Sequence, residues 1–262
     1  MPLGMTRQRV RNVGSLRQAM LLLCLVVCGL SADATTDACD SLLSAGDSLF
    51  GTFDNVRALA AYRSAYKQCP QEYEPLMKLA RALNDVGEDL GDNASYRKAM
   101  AFADTLQRRF PDSLQGYFLK AAAAGNLAEN SGALERVKLS RTVVRNSATA
   151  LQHDSSYAPA YVILGAYYTR VAGANPILKG IANTILGGVP EGTYEDALRE
   201  LKRAVELDAS NMHAHLELAK AYRAVGRIDA ARSHLQKVRS LPVMDHQHPN
   251  LKQRARDLLD DL

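Results

Sequence analysis

The segment GGVPEGT, Gly187 to Thr193, is where the sequence comes nearest to a reactive site. Two glycines and a proline run into a helix start, and exposed N–H groups at a helix N-terminus attract anions. The rest of a phosphate-binding motif is missing. No strand-forming run precedes it, no Gly-Lys-Ser/Thr follows, and there is no second Gly-x-Gly. Thr193 instead stands where an N-cap belongs, with Asp196 three residues on, close to a capping box. Gly187 and Gly188 suit the end of a preceding helix. The segment is expected to be a structural turn.

Histidines come in two close pairs, His213 with His215 and His246 with His248. Residues i and i+2 of a helix point to different sides, so the first pair cannot chelate by itself. The second pair lies in the polar turn "MDHQHP". No cysteine joins either pair and no His-Glu-x-x-His occurs, so neither a metal nor any other cofactor is expected. Serines and aspartates are scattered without a nucleophile elbow or triad order, and nothing in the sequence supports catalysis. Lys138, Arg141 and Arg145 follow one side of a helix in "ERVKLSRTVVRN". They make a solvated face or a docking face for an acidic partner.

The elements that would position these residues are helical. Hydrophobic residues make up 47% of the 262-residue chain and charged residues 23%, a composition that folds. Alanine and leucine far outweigh the β-branched residues, which favours helix over sheet. The first 34 residues differ from the rest. Arg7, Arg9, Arg11 and Arg17 precede the apolar run Ala19 to Leu30, and Ala32 and Ala34 form an Ala-x-Ala site. That is the form of a secretory signal peptide, and the run is too short to span a bilayer, which takes about 20 apolar residues. Lipidation at Cys28 or a retained anchor are the alternatives. Without residues 1–34 the chain keeps 28 basic and 27 acidic residues, a net charge of about +1. Nucleic acid is therefore not an implied partner. Cys39 and Cys69 remain, an even pair in an oxidising compartment. A bridge between them would close a loop of about 30 residues, worth about 3–4 kcal/mol in the chain-entropy model. Two thiols are the other outcome.

A repeat runs through the chain. Ala58, Tyr62, Ala65 and Pro70 fall at offsets 0, 4, 7 and 12, as do Ala99, Ala103, Leu106 and Pro111. Ala197, Leu201, Ala204 and Ala209 repeat the spacing, and Ala231, Leu235 and Val238 follow, with Pro242 one residue early. Offsets of 4 and 7 mark one face of a helix, and proline stops it. Partner helices carry Tyr161, Leu164, Gly165 and Tyr168, then His215, Leu218, Ala219 and Tyr222. Gly165 and Ala219 would let two helices approach closely. The step from Ala197 to Ala231 is 34 residues, but from Ala58 to Ala99 it is 41, the excess being assigned to a longer turn, "GEDLGDN".

This pattern resembles the tetratricopeptide repeat, most closely in "NMHAHLELAKAYRAVGRIDAARSHLQKVRSLP" with Gly226 in its turn. The resemblance implies an all-α superhelix of about five helix pairs, with a degenerate third unit, ending in the capping helix "NLKQRARDLLDDL". The C-terminal hundred or so residues, with their leucine-glycine-glycine-x-proline insert, also resemble secreted bacterial tetratricopeptide proteins. They resemble equally the helical domain of the regulator-of-microtubule-dynamics family. A further resemblance, in architecture and localisation, is to the tetratricopeptide T-components of periplasmic solute transporters.

The insert, at about 171–192, exceeds an ordinary turn. Ile177, Ile181 and Ile185, with Leu178, form an amphipathic stretch that packs on its own array, or covers the groove, or meets a second copy. The implied function is a non-enzymatic exported scaffold holding another protein or peptide on its concave surface. The alternative is a ligand-binding accessory of a solute transporter, with the insert as lid or oligomer contact. Tyr161, Tyr168, His215 and Tyr222 belong to helix packing. Tyr157, Tyr167, Asn211 and Arg223 are expected to be exposed and available to a partner.

Overall fold

The structure, a computed structural model, describes residues 37–175, 180 and 188–262. Among these residues it is all helix and turn. α1 (37–51) is followed by α2 (Asn55–Gln68), α3 (Tyr73–Leu90), α4 (Asn93–Arg109), α5 (Leu114–Glu129) and α6 (Ala133–His153). Then come α7 (Ala158–Ala172), α8 (Tyr194–Leu207), α9 (Met212–Ala224), α10 (Ile228–Ser240) and α11 (His248–Asp260). No described helix is long and apolar enough to cross a membrane.

The boundaries follow from local chemistry. Asp54, Asp92 and Asn211 accept hydrogen bonds from the first free N–H groups of α2, α4 and α9. Thr193 and Asp196 form a complete capping box on α8, so the glycine-rich segment ends in a helix cap and not a phosphate cradle. Gly91 (φ 64°) terminates α3 in the left-handed conformation, where a Cβ would be strained. The sequence "GEDLGDN" is thus mostly helix. Its Glu88 and Asp89 form an added turn of α3, and only Gly91 and Asp92 make the connection.

Helices stack in the order of the chain, α1 with α2 through α9 with α10, and α11 covers the end. First helices also touch one another, α3 with α5, α5 with α7 and α7 with α9, which makes a continuous inner row. Second helices bury the repeat positions completely. Ala58, Tyr62, Ala65, Ala99, Ala103, Leu106, Ala197, Leu201, Ala204, Ala231, Leu235 and Val238 are all 3% exposed or less. The third pair departs from this pattern. α6 runs 21 residues and puts Asn146 and Ser147 where the others carry apolar side chains. Asn146 Oδ1 accepts from Gln107 Nε2 of α4 at 2.8 Å.

Glycine sets how closely the pairs approach. A Cβ on Gly46 would lie 2.4 Å from the Tyr62 ring, on Gly87 2.6 Å from the Tyr96 ring, and on Gly165 2.3 Å from Leu201 Cγ. Leu201 is fully buried and has nowhere to withdraw. Alanine in place of glycine gains up to about 1 kcal/mol of helix propensity, which overpacking reverses. Gly165→Ala is expected to destabilise the protein by about 1–3 kcal/mol in urea denaturation. An unchanged or raised midpoint would show that this contact does not limit helix approach.

Candidate functional site

The connection between α10 and α11 turns back into the inner row. Leu241 is buried against the last pair and Pro242 prevents α10 from continuing. The turn is stiffened by its own bonds. Asp245 Oδ1 accepts from Gln247 N at 2.8 Å, and Met244 N donates to His248 Nδ1 at 3.0 Å. It places His246, with only 8% of its side chain exposed, against the last turn of α3, 157 residues away in the chain.

There His246 Nδ1 lies 2.7 Å from Asp89 Oδ1, and its Nε2 lies 3.5 Å from Glu88 Oε2 and 3.8 Å from Asp245 Oδ1. Each carboxylate is held from behind. Asp89 Oδ2 accepts from Asn55 Nδ2 of α2 at 2.8 Å. Glu88 Oε1 accepts from Asn126 Nδ2 of α5 at 2.6 Å and from Asn84 Nδ2 at 3.0 Å. Asp85 is 3.7 Å from Arg81 Nε, whose guanidinium lies over the Phe50 ring. Burial pushes the Asp85 carboxyl up to about 6, against the pull of Arg81 and His246. Burial and the neighbouring Asp85 also raise Glu88. Burial alone would depress His246, but the Asp89 hydrogen bond and the charges of Asp85 and Asp245 carry it above the usual histidine value. Donor atoms of Asp85, Glu88 and His246 lie within 4.8 Å of one another, as do those of His213, Asp245 and His248.

Sequence spacing compares histidines within each pair; the structure pairs them differently. His213 of α9 meets His248, and His215 meets His234 of α10. The signal that could have found His246 was its place just beyond a proline-stopped helix. Nothing local pointed to Asp85, Glu88 or Asp89.

The other expected site residues are placed as follows. Ile177, Leu178, Ile181 and Ile185 lie outside the described residues. Tyr157 precedes α7 and packs edge-on against Phe118 of α5, with ring centroids 5.0 Å apart. Tyr167 is not exposed, contrary to expectation. It is buried because the returning end of the insert covers it, and its hydroxyl donates to the Pro190 carbonyl. Asn211 is occupied as the cap of α9. Arg223 is exposed. Lys138 and Arg145 are exposed on α6, whereas Arg141 donates from Nε and Nη2 to the Gly188 carbonyl at 3.1 and 2.7 Å, fastening the insert to α6. Tyr161 and Tyr168 are half-buried, and His215 and Tyr222 are buried, as packing positions should be. Cys39 and Cys69 face each other as thiols without a bridge, and burial followed by the Cys69 contact raises the Cys39 thiol pKa. A hollow of about 610 Å³ beside α8 is lined mainly by charged side chains, including Glu195, Arg199, Lys202 and Arg203.

Stacked helix pairs with a continuous inner row of first helices define a tetratricopeptide-type scaffold. The chain belongs to the family described as "Regulator of microtubule dynamics protein 1-3", whose model matches residues 40–262. The family match thus extends well beyond the C-terminal hundred residues. Among solved structures, the chain is similar to TTC0263, a thermophilic TPR protein of Thermus thermophilus. The TM-score is 0.62 at 24% identity, covering 85% of this chain and 99% of that one. The Pseudomonas aeruginosa pilF structure matches with a TM-score of 0.48 at 15% identity, covering 87% of each chain. YrrB, described as a TPR protein with an unusual peptide-binding site, matches with a TM-score of 0.44 at 13% identity, covering 87% of this chain and 98% of that one. A search of curated protein sequences gave no match.

The His215–His234 contact carries a pH dependence. His215 Nε2 lies 3.1 Å from the Ala209 carbonyl and so is the donor there, which leaves Nδ1 to accept from His234 Nδ1 at 2.8 Å. Charging His234 sets an imidazolium in a half-buried site beside His215, and charging both rings sets two donors face to face. Burial, then the neighbouring His215, pulls His234 down from 6.5 to about 4, so the fold favours its neutral form. That stabilisation is complete above about 6.5 and is lost as pH falls toward about 4. The melting temperature is expected to drop across this window. His234→Phe, which keeps the stacking on Tyr222, should flatten the profile; an equally steep profile in the variant would assign the effect elsewhere.

Proposed function

We propose that the chain is an exported, non-enzymatic adaptor that holds a protein or peptide partner along the inner row of first helices. The polar character of that row carries the reading. It includes Arg81 on α3, Asn126 on α5, Arg170 on α7, and Glu217 and Lys220 on α9. Such side chains suit the amides and charges of a polypeptide; an apolar solute would need an apolar lining. Stacked helix pairs offer extended surfaces of this kind. Export rests on the basic n-region, the apolar run Ala19 to Leu30 and the Ala32–Ala34 site. The facing thiols of Cys39 and Cys69 would bridge in an oxidising compartment. In that location the scaffold has no access to microtubules, so the cytoskeletal role in the family's name is not part of the proposal. A solute-binding role is favoured by one observation. Arg141 and Tyr167 fasten the end of the insert over α6 and α7, as the anchored side of a lid would be.

Export is checked by expressing the full chain, fractionating the cells and determining the N-terminus and thiol content. The expected product is processed near Ala34, lies outside the cytoplasm and has no titratable thiol. An unprocessed cytoplasmic chain would overturn export, and two thiols in processed protein would overturn the bridge. Partner binding is checked with a photo-crosslinking residue at Arg81 on the inner row, and separately at Lys138 on α6. A specific polypeptide adduct from position 81 is expected. An adduct from position 138 alone would move the site to the basic face, and none from either would count against the adaptor.

A further inference from the structure

Asp85, Glu88 and His246 have the makings of an ion site, because the array brings their donor atoms to within 4.8 Å of one another. His246 Nδ1 is 2.7 Å from Asp89 Oδ1, a carboxylate that can only accept, so Nδ1 carries the proton. Nε2 then presents its lone pair to Glu88 Oε2 at 3.5 Å and Asp245 Oδ1 at 3.8 Å, which are acceptors too. With the side chain only 8% exposed, little water can intervene. A neutral ring facing two carboxylates through its lone pair is repulsive, and either a proton on Nε2, which the raised His246 pKa favours, or a metal cation between them removes the repulsion. Arg81 pairs with Asp85 Oδ2 at 3.7 Å, and its guanidinium is stacked on the Phe50 ring.

The surroundings are those of a metal centre. A histidine ligand characteristically donates its second N–H to a carboxylate that fixes its tautomer and orientation, and ligating carboxylates are themselves hydrogen-bonded. Asp89 stands behind His246 in this way and is held by Asn55, itself 1% exposed. Asn84 and Asn126 bind the outer oxygen of Glu88 and leave Oε2 toward the ring. Asp85 and Glu88, at i and i+3 on α3, share one face. Their donor atoms and that of His246 lie within 4.8 Å of one another, so small side-chain shifts would close them to bonding distance. One nitrogen and two or three carboxylate oxygens, without a thiolate, suit a divalent first-row transition cation.

We propose that Asp85, Glu88 and His246 bind such a cation, with Asp89 as the positioning residue, and that the ion fastens the α10–α11 turn to α3. The ion joins the last helix pair to the second and holds the array closed across the inner row. The site is independent of the adaptor function and requires no partner.

The test uses the untagged full chain, stripped with chelator and titrated with Zn²⁺ by calorimetry and with Co²⁺ by visible absorption. One ion per chain is expected in this site, with bands typical of nitrogen and oxygen ligation. Glu88→Gln and His246→Ala should each weaken binding at least about tenfold, and Asp89→Asn by about tenfold. His213→Ala, which alters the neighbouring histidine cluster, should leave the affinity unchanged. Hydrogen exchange at residues 243–248 should slow when metal is added to the wild type and not to Glu88→Gln, whose helix content is first confirmed by circular dichroism. Absence of Zn²⁺ and Co²⁺ uptake would overturn the proposal and leave the imidazolium form of His246 as the cation there. Uptake unaffected by Glu88→Gln and His246→Ala, or removed by His213→Ala alone, would overturn it as well.

Discussion

In three helix pairs of this array, closure depends on one helix giving up its side chain. Gly46 makes room for Tyr62, Gly87 for Tyr96 and Gly165 for Leu201, each at a distance no Cβ could tolerate. The gain is dense packing around a second helix whose inward positions are fully buried. The cost is the flexibility of glycine within a helix, which tertiary contact must offset. Where pairs are locked at this short range, the rotation from one pair to the next is constrained too. Small rotations repeated along a solenoid determine where its ends come to lie.

Here they bring the α10–α11 turn onto α3. The contact between His246 and Asp89 spans 157 residues, yet neither residue takes part in the repeat packing. If adjacent pairs were spaced differently, the turn would miss α3, because a hydrogen bond tolerates only a few tenths of an ångström. Core glycines and the polar cluster are therefore linked mechanically. The first fixes the geometry, and the second depends on it.

Much of the fold is legible in the sequence because its contacts are local. Offsets of 4 and 7, Gly226, and the Thr193–Asp196 cap all act within one helix or one turn, and the structure places them accordingly. The cluster was hidden for two reasons. The 41-residue step from Ala58 to Ala99 reads as a long loop, and Glu88 and Asp89 were absorbed into it. In the structure those residues are helical, and Gly91 only closes the added turn. His246, for its part, lies among polar neighbours that look like any surface turn. Only closure of the array reveals it. Tyr167 reads as exposed for a related reason, since its partner, Pro190, belongs to the insert, which has no repeat pattern to place it, and the contact of Arg141 with Gly188 is hidden in the same way.

What distinguishes this chain from a bare scaffold is what its packing does not require. Alanine and leucine at the repeat positions suffice to stack helices, and an apolar end to α3 would avoid the cost of burying Asp85 and half-burying Glu88. The structure instead buries Asp85, holds Glu88 with Asn84 and Asn126 and Asp89 with Asn55, and directs a histidine at them from the far end of the array. Breaking one member of such a set leaves the others desolvated and unpaired, so the set is held or lost together. The set ties the α10–α11 turn to α3, a contact that stacking alone does not supply. On the adaptor reading proposed above, a partner entering the row beside α3 would meet this turn already in place.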